Sequence, residues 1–529
     1  MSRIRTPTDR RTGASAGGRK RVLVVNGYFD HLGHGTRRPW RIPQSMAPAY
    51  LAGAFAPERC DVRAYNEQHS GPLTDPAVLG WPDMLVLTGL TNAFDRMLQL
   101  AAYARSRNPR VILVAGGPAI RALPRYARRF FDYPCTGDIE ETADVAADAF
   151  GPEYVSAEMF PRFDLADWMG PFGYVESSRN CNYRCSFCSL TAEGYAYRPY
   201  SLDYIRRQLL ALGKRRFVTF LDNNFYGNDG DFFRARVALL RELRRDSRIP
   251  HWGALVTNDM FCDERNVTLA REAGCYALFS GIESFDTEVL RGYRKFQNTT
   301  IPQVDMVRRC FEAGIVFAYG IMLDFTTRTI AELRAEMEYI VANTEIPLPN
   351  YFSVAVPLLQ TPYFHQCLRD GLLLPSIRLR DMDTATLTVR PLDPIEEVSA
   401  FLRELPSLRR WRHRVPGRTL AFLRRYRRHL SWLQVGITLS GPAMLITPNL
   451  SSGALPRRSP RWRTFVTTTE PLDPLYSPAF RVERRYEAYF RPTMITDARG
   501  ALNEALEEDL QPAVQPPLQE TASAALEGA

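Results

Sequence analysis

The sequence predicts an α/β protein with a doubly wound N-terminal sheet, a partial six-stranded barrel and a mainly helical C-terminal region. The chain has 529 residues, of which 45% are hydrophobic and 24% charged, and this suits about three globular domains. Short apolar runs alternate with amphipathic stretches up to about residue 370, an order typical of parallel sheets. Further along, the apolar residues recur at helical spacing.

The first domain is predicted over residues 21–150, after a Ser-, Gly- and Arg-rich tail (1–20) that we expect to be disordered. Its predicted strands are Val22–Val25, Asp61–Tyr65, Met84–Leu87 and Val111–Val114. Ligands of such sheets bind at the carboxyl ends of the strands. The candidate binding residues at these ends are Gly27, Tyr28, Thr88, Gly89, Thr91, Gly116, Gly117 and Pro118. Most are small or hydroxylated, which lets a large flat or phosphorylated ligand approach the backbone.

The second domain is predicted over residues 165–370. Its predicted strands are Tyr174–Ser177, Phe217–Leu221, Trp252–Val256, Tyr276–Phe279, Val316–Met322 and Tyr351–Val356. Amphipathic helices lie between them, so six strand–helix units indicate a partial (β/α)6 barrel of the TIM type instead of a closed eight-fold one.

The C-terminal region, residues 371–500, is expected to be helical and to cap the barrel. Pro394–Leu405 and Arg418–Leu433 have the clearest helical spacing. Residues 501–529 contain six acids, no base and three prolines, and this composition predicts a disordered acidic tail.

Positive charge is concentrated in one stretch of a chain whose net charge is +9. Between Phe401 and Leu430 there are ten arginines and a single acid, Glu404. Such a stretch can bind nucleic acid, a membrane surface or an acidic carrier protein. The sequence favours the simpler interpretation, a solvated helix face whose arginines pair with carboxylates elsewhere.

The sequence also predicts a cytoplasmic protein without a membrane span. The longest apolar candidate, Trp432–Thr447, is interrupted by polar residues, glycines and a proline, so it does not satisfy the requirement of about 18 apolar residues. The basic N-terminus has no apolar core of the kind found in secretory signals. In that compartment nine cysteines are expected to be thiols or metal ligands and not disulfides.

Three cysteines carry the strongest chemical signal. Cys181, Cys185 and Cys188 lie in one short loop after the first predicted barrel strand, with three and then two residues between them. Such a loop can place three thiolates around a [4Fe-4S] cluster and leave one iron open to a substrate or cofactor. Structural zinc normally takes four protein ligands, and no second cysteine pair follows these three.

This triplet, with the aromatic Phe187 before its third cysteine, resembles the signature of the radical S-adenosylmethionine (SAM) enzymes. The resemblance implies a [4Fe-4S] cluster held by the three cysteines, bound SAM and a reductant such as flavodoxin or ferredoxin. It extends to Phe220–Phe225 and to Gly281–Ser284. On this basis the residues assigned to SAM are Phe187, Asp222, Asn223, Gly281, Glu283 and Ser284.

Read together with the barrel, the Rossmann-like first domain resembles the cobalamin-binding domain fused to one branch of these enzymes. The glycine-containing loops listed above and Thr136–Glu140 carry that resemblance. The motif Asp-x-His-x-x-Gly, whose His ligates cobalt in many cobalamin domains, is replaced by Asp30–Gly35 with different spacing. We therefore expect cobalamin without a His lower ligand, or else a vestigial domain that binds no cobalamin; His31 and His34 lie in this loop.

The resemblance implies methylation of an unactivated carbon in a secondary-metabolite substrate or precursor, either as a free small molecule or on a carrier protein. The alternative within the same chemistry is a cyclisation or rearrangement without net methyl transfer. Two further alternatives are a nucleic-acid-binding protein that uses the arginines and a non-catalytic iron–sulfur scaffold. The sequence contains no recognisable nucleic-acid-binding module, so nucleic acid is the less favoured partner.

Overall fold

The computed structural model describes residues 18–29, 44–246, 249–439 and 476–511. Its first sheet is parallel, with strands β1 (Lys20–Asn26), β2 (Cys60–Asn66), β3 (Met84–Thr88), β4 (Ile112–Ala115) and β5 (Tyr133–Pro134). The strand order is β2-β1-β3-β4-β5, which puts the topological switch point between β1 and β3. The apolar run Val22–Val25 is fully buried in the middle of this sheet. The predicted doubly wound domain is confirmed.

Helices cover both faces of this first sheet. They are Ala47–Ala52, Glu67–Ser70, Pro76–Gly80, Phe94–Arg107, Pro118–Ala122, Pro124–Ala127 and Glu141–Phe150. The longest of them, Phe94–Arg107, buries its first eleven residues, because both the sheet and a C-terminal segment pack against it.

The second sheet has six parallel strands in the order β13-β12-β11-β10-β9-β6. A short antiparallel ribbon, β7 with β8, branches off next to its first strand. The strands are β6 (Phe172–Val175), β7 (Ser178–Arg179), β8 (Arg198–Pro199), β9 (Phe217–Phe220), β10 (Trp252–Leu255), β11 (Cys275–Glu283), β12 (Val316–Leu323) and β13 (Tyr351–Val354). The six strands form an open half-barrel, as the sequence predicts.

The helices of the half-barrel begin with side-chain caps that the sequence supplies. Ser201, Asp229 and Thr329 each accept a hydrogen bond from a backbone N–H of the first turn, which satisfies donors that a helix start leaves free. The helices are Ser189–Glu193, Leu202–Ala211, Gly230–Arg245, Arg265–Glu272, Thr287–Gly292, Gln303–Glu312, Ile330–Ala342 and Pro362–Arg369.

The region after the barrel contains helices Ile395–Glu404 and Val415–Tyr426, which correspond to the two predicted ones. A further helix covers residues 432–439. Several of the arginines here do pair with carboxylates, as expected: the pairs are Arg410–Glu404, Arg414–Glu338 and Arg425–Glu345. Among the described residues, no helix is long and apolar enough to cross a membrane.

At their described inner ends, the two segments predicted as disordered tails contain secondary structure. Strand β1 already begins at Lys20, and a helix occupies Glu504–Leu510. That helix is ordered because Leu506 and Leu510, four residues apart, are both fully buried. The prediction for residues 501–529 was based on their acidic composition and did not take the spacing of these two leucines into account.

Residues 476–511, here called the C-terminal segment, pack back onto the first domain. The backbone carbonyl of Tyr476 accepts a hydrogen bond from the buried Arg96 (3.0 Å). The N–H of Thr493 donates to Asp95 (3.1 Å). A second cluster of aromatic contacts joins Tyr103 to Phe490, with 5.4 Å between ring centroids. The first and last parts of the chain therefore share one core.

Candidate functional site

The three cysteines lie in one loop (residues 180–188, the cysteine loop) at the carboxyl edge of the half-barrel. Neighbouring segments hold the loop by its backbone. The N–H of Ser186 donates to the Tyr293 carbonyl (2.9 Å), and the N–H of Tyr363 donates to the Ser186 carbonyl (3.0 Å). The hydroxyl of Tyr183 donates to Asp259 (2.7 Å). Because its middle residues are fixed from three directions, the loop presents its thiols on a rigid support.

The surroundings of the thiols suit a ligand set that carries negative charge. Burial raises the pKa of the Cys181 thiol and raises that of Cys188 to about 11, so thiolates here need a compensating partner. The side-chain amide of Gln297 donates to the Cys185 sulfur (3.3 Å). The ammonium of Lys295 is buried nearby and lies 5.6 Å from the centroid of the Phe187 ring. These residues therefore fit an iron–sulfur cluster, whose thiolate ligands accept such donors.

A buried ion pair stands beside the loop. Lys295 donates to Glu283 at 2.8 Å, and Glu283 ends strand β11. Burial would lower the pKa of Lys295, but the charges of Glu283 and of the cysteines raise it above its usual value. Glu283 has a φ of +63°, a left-handed conformation that persists only where the surroundings impose it and that is common in functional sites.

Gly281 makes this pair possible. A side chain at position 281 would overlap the Glu283 carboxylate, since that carboxylate folds back over the glycine. The Gly281 carbonyl accepts a hydrogen bond from the Asn298 amide (2.8 Å). The glycine that the sequence assigned to SAM binding thus leaves room for the Glu283 carboxylate, and its ligand role stays a prediction.

Several buried polar atoms around this pair have no hydrogen-bond partner among the described residues. They are Asn258 Oδ1, Ser280 Oγ, Gln297 Oε1 and Asn298 Oδ1. Leaving such atoms unpaired costs about 1–3 kcal/mol each, so a group of them at one strand edge is suited to a polar ligand. Of the described residues, no three His, Cys, Asp or Glu side chains are arranged around one common metal ion.

Two residues assigned to SAM are occupied within the protein. Asp222 is fully buried and accepts hydrogen bonds from the N–H of Ser177 (2.9 Å), the Ser177 hydroxyl (2.6 Å) and the Ser178 hydroxyl. The Ser284 hydroxyl donates to Glu336 (2.6 Å). These bonds join β6 to β9 and β11 to a covering helix, so the ligand roles of Asp222 and Ser284 stay predictions.

The other assigned residues lie closer to the cysteine loop or to solvent. Phe187 packs edge-on against Tyr293, with 5.6 Å between ring centroids, and Asn223 is exposed. The sequence did not identify Lys295, Gln297 and Asn298, which follow the short helix Thr287–Gly292. No spacing pattern marks that segment; the signal available was a run of polar residues twelve positions after Glu283.

The carboxyl edge of the first sheet is lined by backbone. The N–H of Gly27 donates to the Thr88 carbonyl (2.8 Å), which brings the ends of β1 and β3 together. Gly117 has a φ of +109°, and a Cβ there would lie 2.7 Å from the Gly89 carbonyl oxygen. Gly89 therefore lies against both Gly27 and Gly117, and at these three positions the edge presents backbone without a side chain, which fits a broad flat ligand. Leu90, between Gly89 and Thr91, is 69% exposed.

A cleft separates this edge from the half-barrel. It has about 370 Å³ of empty volume, open solvent included, and its lining residues are Thr91, Pro118, Arg121, Ala122, Ser189, Ala192, Glu193, Leu358, Leu359 and Gln360. The Tyr50 hydroxyl bridges the two domains, since it donates to Gln208 (2.6 Å) and accepts from the N–H of Glu176 (2.9 Å). His31 and His34 lie outside the described residues.

Comparison with known proteins identifies the barrel. Residues 175–340 match the model of the radical SAM superfamily, so the chain contains a radical SAM domain. The resemblance drawn from the cysteine triplet is confirmed over this range.

Curated relatives extend the similarity. An uncharacterised methyltransferase of Synechocystis sp. is 26% identical over 350 residues, covering 60% of this chain and 62% of the relative. The hopanoid C-2 methylase of Rhodopseudomonas palustris is 25% identical over 345 residues, covering 61% and 64%. The chain therefore spans less than two thirds of the length of these two relatives.

Solved structures share the fold over most of the chain. OxsB, a cobalamin-dependent SAM radical enzyme solved with aqua-cobalamin and SAM, aligns with a TM-score of 0.53 at 15% identity, covering 73% of this chain and 66% of OxsB. TsrM, a radical SAM methyltransferase from Kitasatospora setae, aligns with a TM-score of 0.50 at 17% identity, covering 70% and 80%. At these identities the two alignments show a similarity of fold.

Proposed function

We propose that this chain is a cobalamin-dependent radical SAM methyltransferase that acts on an unactivated carbon of a small molecule, free or attached to a carrier protein. The observation that carries the proposal is the pair of strand edges. The cysteine loop and the Glu283–Lys295 pair lie at the carboxyl edge of one sheet, and the glycine-containing edge of the other sheet lies across the cleft from it. The methyltransferase names of the relatives support the same reaction class.

Each part of the site has a role in this proposal. Cys181, Cys185 and Cys188 hold the cluster. Glu283 and the unpaired oxygens of Ser280 and Asn298 bind polar groups of SAM, which suits atoms that lack a partner within the chain. When bound, the cluster and cobalamin supply a carbon radical from one SAM and a transferable methyl group from another, with electrons from a flavodoxin or ferredoxin.

On the other side of the cleft, the backbone of Gly27, Gly89 and Gly117 supports cobalamin. The exposed Leu90 and the neighbouring Thr91 then lie against the cofactor. The two domains together enclose the bound cofactors and exclude water from the reacting atoms. The hydrogen bonds of Tyr50 hold the domains against each other for this role.

The test is an anaerobic assay of the reconstituted holoenzyme. The protein is loaded with iron, sulfide and cobalamin, reduced, and supplied with SAM; 5′-deoxyadenosine and S-adenosylhomocysteine are then quantified. We expect both products, with cobalamin retained through gel filtration. Deoxyadenosine alone would favour the rearrangement or cyclisation alternative, and a complete cluster that yields neither product would contradict the proposal.

A further inference from the structure

The helix over residues 432–439 has its apolar side chains on the outside. Trp432 is 75% exposed, Leu433 67%, Ile437 39% and Leu439 43%. The residues that face inward are Gln434, Val435 and Thr438, of which two are polar. A surface helix of a globular protein normally has the opposite arrangement, and adjacent exposed apolar side chains on a soluble protein mark an interaction site.

Hydrogen bonds fix this orientation. The Gln434 amide donates to the backbone carbonyls of Gly314 (2.8 Å) and Tyr276 (3.2 Å), and its oxygen accepts from the N–H of Ser431 (3.0 Å). The Tyr276 and Ser431 hydroxyls are 3.0 Å apart. Rotation of the helix to bury Trp432 would break these buried bonds, each of which is costly to leave unmade. The buried hydrogen bonds of Gln434 therefore keep the apolar face of this helix directed outward.

Positive charge surrounds the same face. From Leu405 to Leu439 the sequence has nine arginines and no acid. The guanidinium of Arg427 stacks on the Trp432 ring at 3.7 Å from its centroid. Arg424 and Arg428 are exposed, and no carboxylate within salt-bridge distance of either is found among the described residues. Arg427 thus links the arginine-rich stretch to the exposed apolar face of this helix.

We propose that this surface binds the headgroups and outer acyl chains of an anionic lipid membrane. We call it the basic apolar surface, and its members are Leu420, Arg424, Arg427, Arg428, Trp432, Leu433, Ile437 and Leu439. Aliphatic and Trp side chains enter the boundary between headgroups and acyl chains, while arginines bind the phosphates. Nucleic acid would satisfy the arginines but offers little to exposed Leu and Ile, since single strands bind by stacking on aromatic rings.

The position of the surface leaves the proposed active site free. Gln434 contacts the amino end of β11 at Tyr276, whereas Glu283 ends the same strand. The two residues are seven positions apart, which is about 23 Å along a strand. Membrane attachment therefore occurs at the end of the half-barrel opposite the cysteine loop, and the inference does not depend on the proposed reaction.

The first experiment measures binding of the full chain to vesicles by co-sedimentation. Vesicles of phosphatidylcholine alone are compared with vesicles that contain equal parts of phosphatidylcholine and phosphatidylglycerol, at low and high salt. We expect at least tenfold tighter binding to the anionic vesicles, with the difference reduced by salt. Absence of binding to anionic vesicles at low salt would overturn the proposal.

Variants then test which residues bind. The triple variant W432S/L433S/I437S removes three outward apolar side chains and is expected to weaken vesicle binding about 100-fold. The matched control is L202S/L210S/L392S, three exposed leucines elsewhere, which should bind as the unmodified chain does. Both variants should keep the original melting temperature, because the changed side chains lie on the surface. Equal binding by the two variants would contradict the assignment.

A charge variant completes the test. R424Q/R428Q is expected to weaken binding to anionic vesicles about 25-fold, roughly fivefold for each arginine, and R59Q/R110Q serves as the control in the first domain. Two results point to another occupant and overturn the proposal: a solution dimer that W432S/L433S/I437S dissociates, or tighter binding to an RNA oligonucleotide than to vesicles.

Discussion

The carboxyl edges of the two parallel sheets contrast in composition. At the half-barrel edge, the proposed function uses ionisable and polar side chains: the three cysteines, Glu283, Lys295 and Gln297. At the edge of the first sheet it uses backbone, where Gly89 lies against both Gly27 and Gly117. The first edge fits small charged groups, and the second fits a wide surface.

This contrast determines what a substitution should do at each edge. At the half-barrel, changing one side chain removes a ligand or a charge while the strands remain. At the first sheet, any added side chain changes the position of the backbone itself. Substitutions at the two edges measure this difference, and a weaker effect is expected where the C-terminal segment covers the first domain.

The largest effect is expected at the cysteine loop. Cys181→Ala, Cys185→Ala or Cys188→Ala should each abolish the visible absorption of the reconstituted cluster and the formation of 5′-deoxyadenosine, because a site with two thiolates holds the cubane poorly. The exposed Cys262 is the control, and Cys262→Ala should keep both signals. An active Cys185→Ala protein would refute the cluster assignment.

The second test separates the partners of the buried ion pair. Lys295→Met leaves the Glu283 carboxylate buried without its cation, so we expect a loss of about 3–5 kcal/mol in the free energy of unfolding of the apoprotein. The double variant E283Q/K295M should be more stable than K295M alone, since it removes the unpaired charge. Urea denaturation gives the free energy of unfolding of each variant. If the losses of the single variants E283Q and K295M add up to the loss of the double variant, the two groups do not interact.

The third test uses neighbouring glycines at the first edge. Gly117→Ala places a Cβ 2.7 Å from the Gly89 carbonyl at a φ of +109°, which should cost about 2–4 kcal/mol and reduce the cobalamin retained on gel filtration. At Gly116 the nearest atom is 3.8 Å away, so Gly116→Ala should change little. Similar behaviour of the two variants would mean that backbone packing does not define this edge.

The smallest effect is expected where the C-terminal segment meets the first domain. The Asp509 carboxylate accepts from the N–H groups of Arg125 (3.0 Å) and Tyr126 (2.8 Å), so Asp509→Ala should lower the melting temperature by the equivalent of about 1 kcal/mol. Glu508 pairs with Arg125 in solvent, and Glu508→Ala should have almost no effect. A larger loss for Glu508→Ala would reverse the roles assigned here.

The sequence predicted the strands well because their signal is local. All six barrel strands and the first four strands of the N-terminal sheet were expected within a few residues of their positions, since buried parallel strands are continuous apolar runs. Strand β5 has two residues and gives no such run. The cysteine triplet could also be recognised from the sequence, because all three cysteines lie within eight residues.

The rest of the site depends on contacts between distant segments. Nothing near Lys295 or Gln297 indicates that the chain brings them to Glu283 and Cys185, which lie 12 and 112 residues earlier. For Asp222 the sequence suggested too much. Its position after a barrel strand suggested a ligand of SAM, yet its carboxylate is hydrogen-bonded by the hydroxyls of Ser177 and Ser178 and lies near Arg236. Tertiary hydrogen bonding decides such cases, and a sequence pattern does not contain it.

The C-terminal segment also has a consequence for synthesis of the protein. Arg96 is fully buried, and one of its hydrogen bonds goes to Tyr476, 380 residues later. On a ribosome that adds about 5–20 residues per second, the first domain waits about 20–80 s for this cover. Until then Arg96 lacks its bond to the Tyr476 carbonyl and Tyr103 lacks its ring contact with Phe490, so the core of the first domain is completed only late in synthesis.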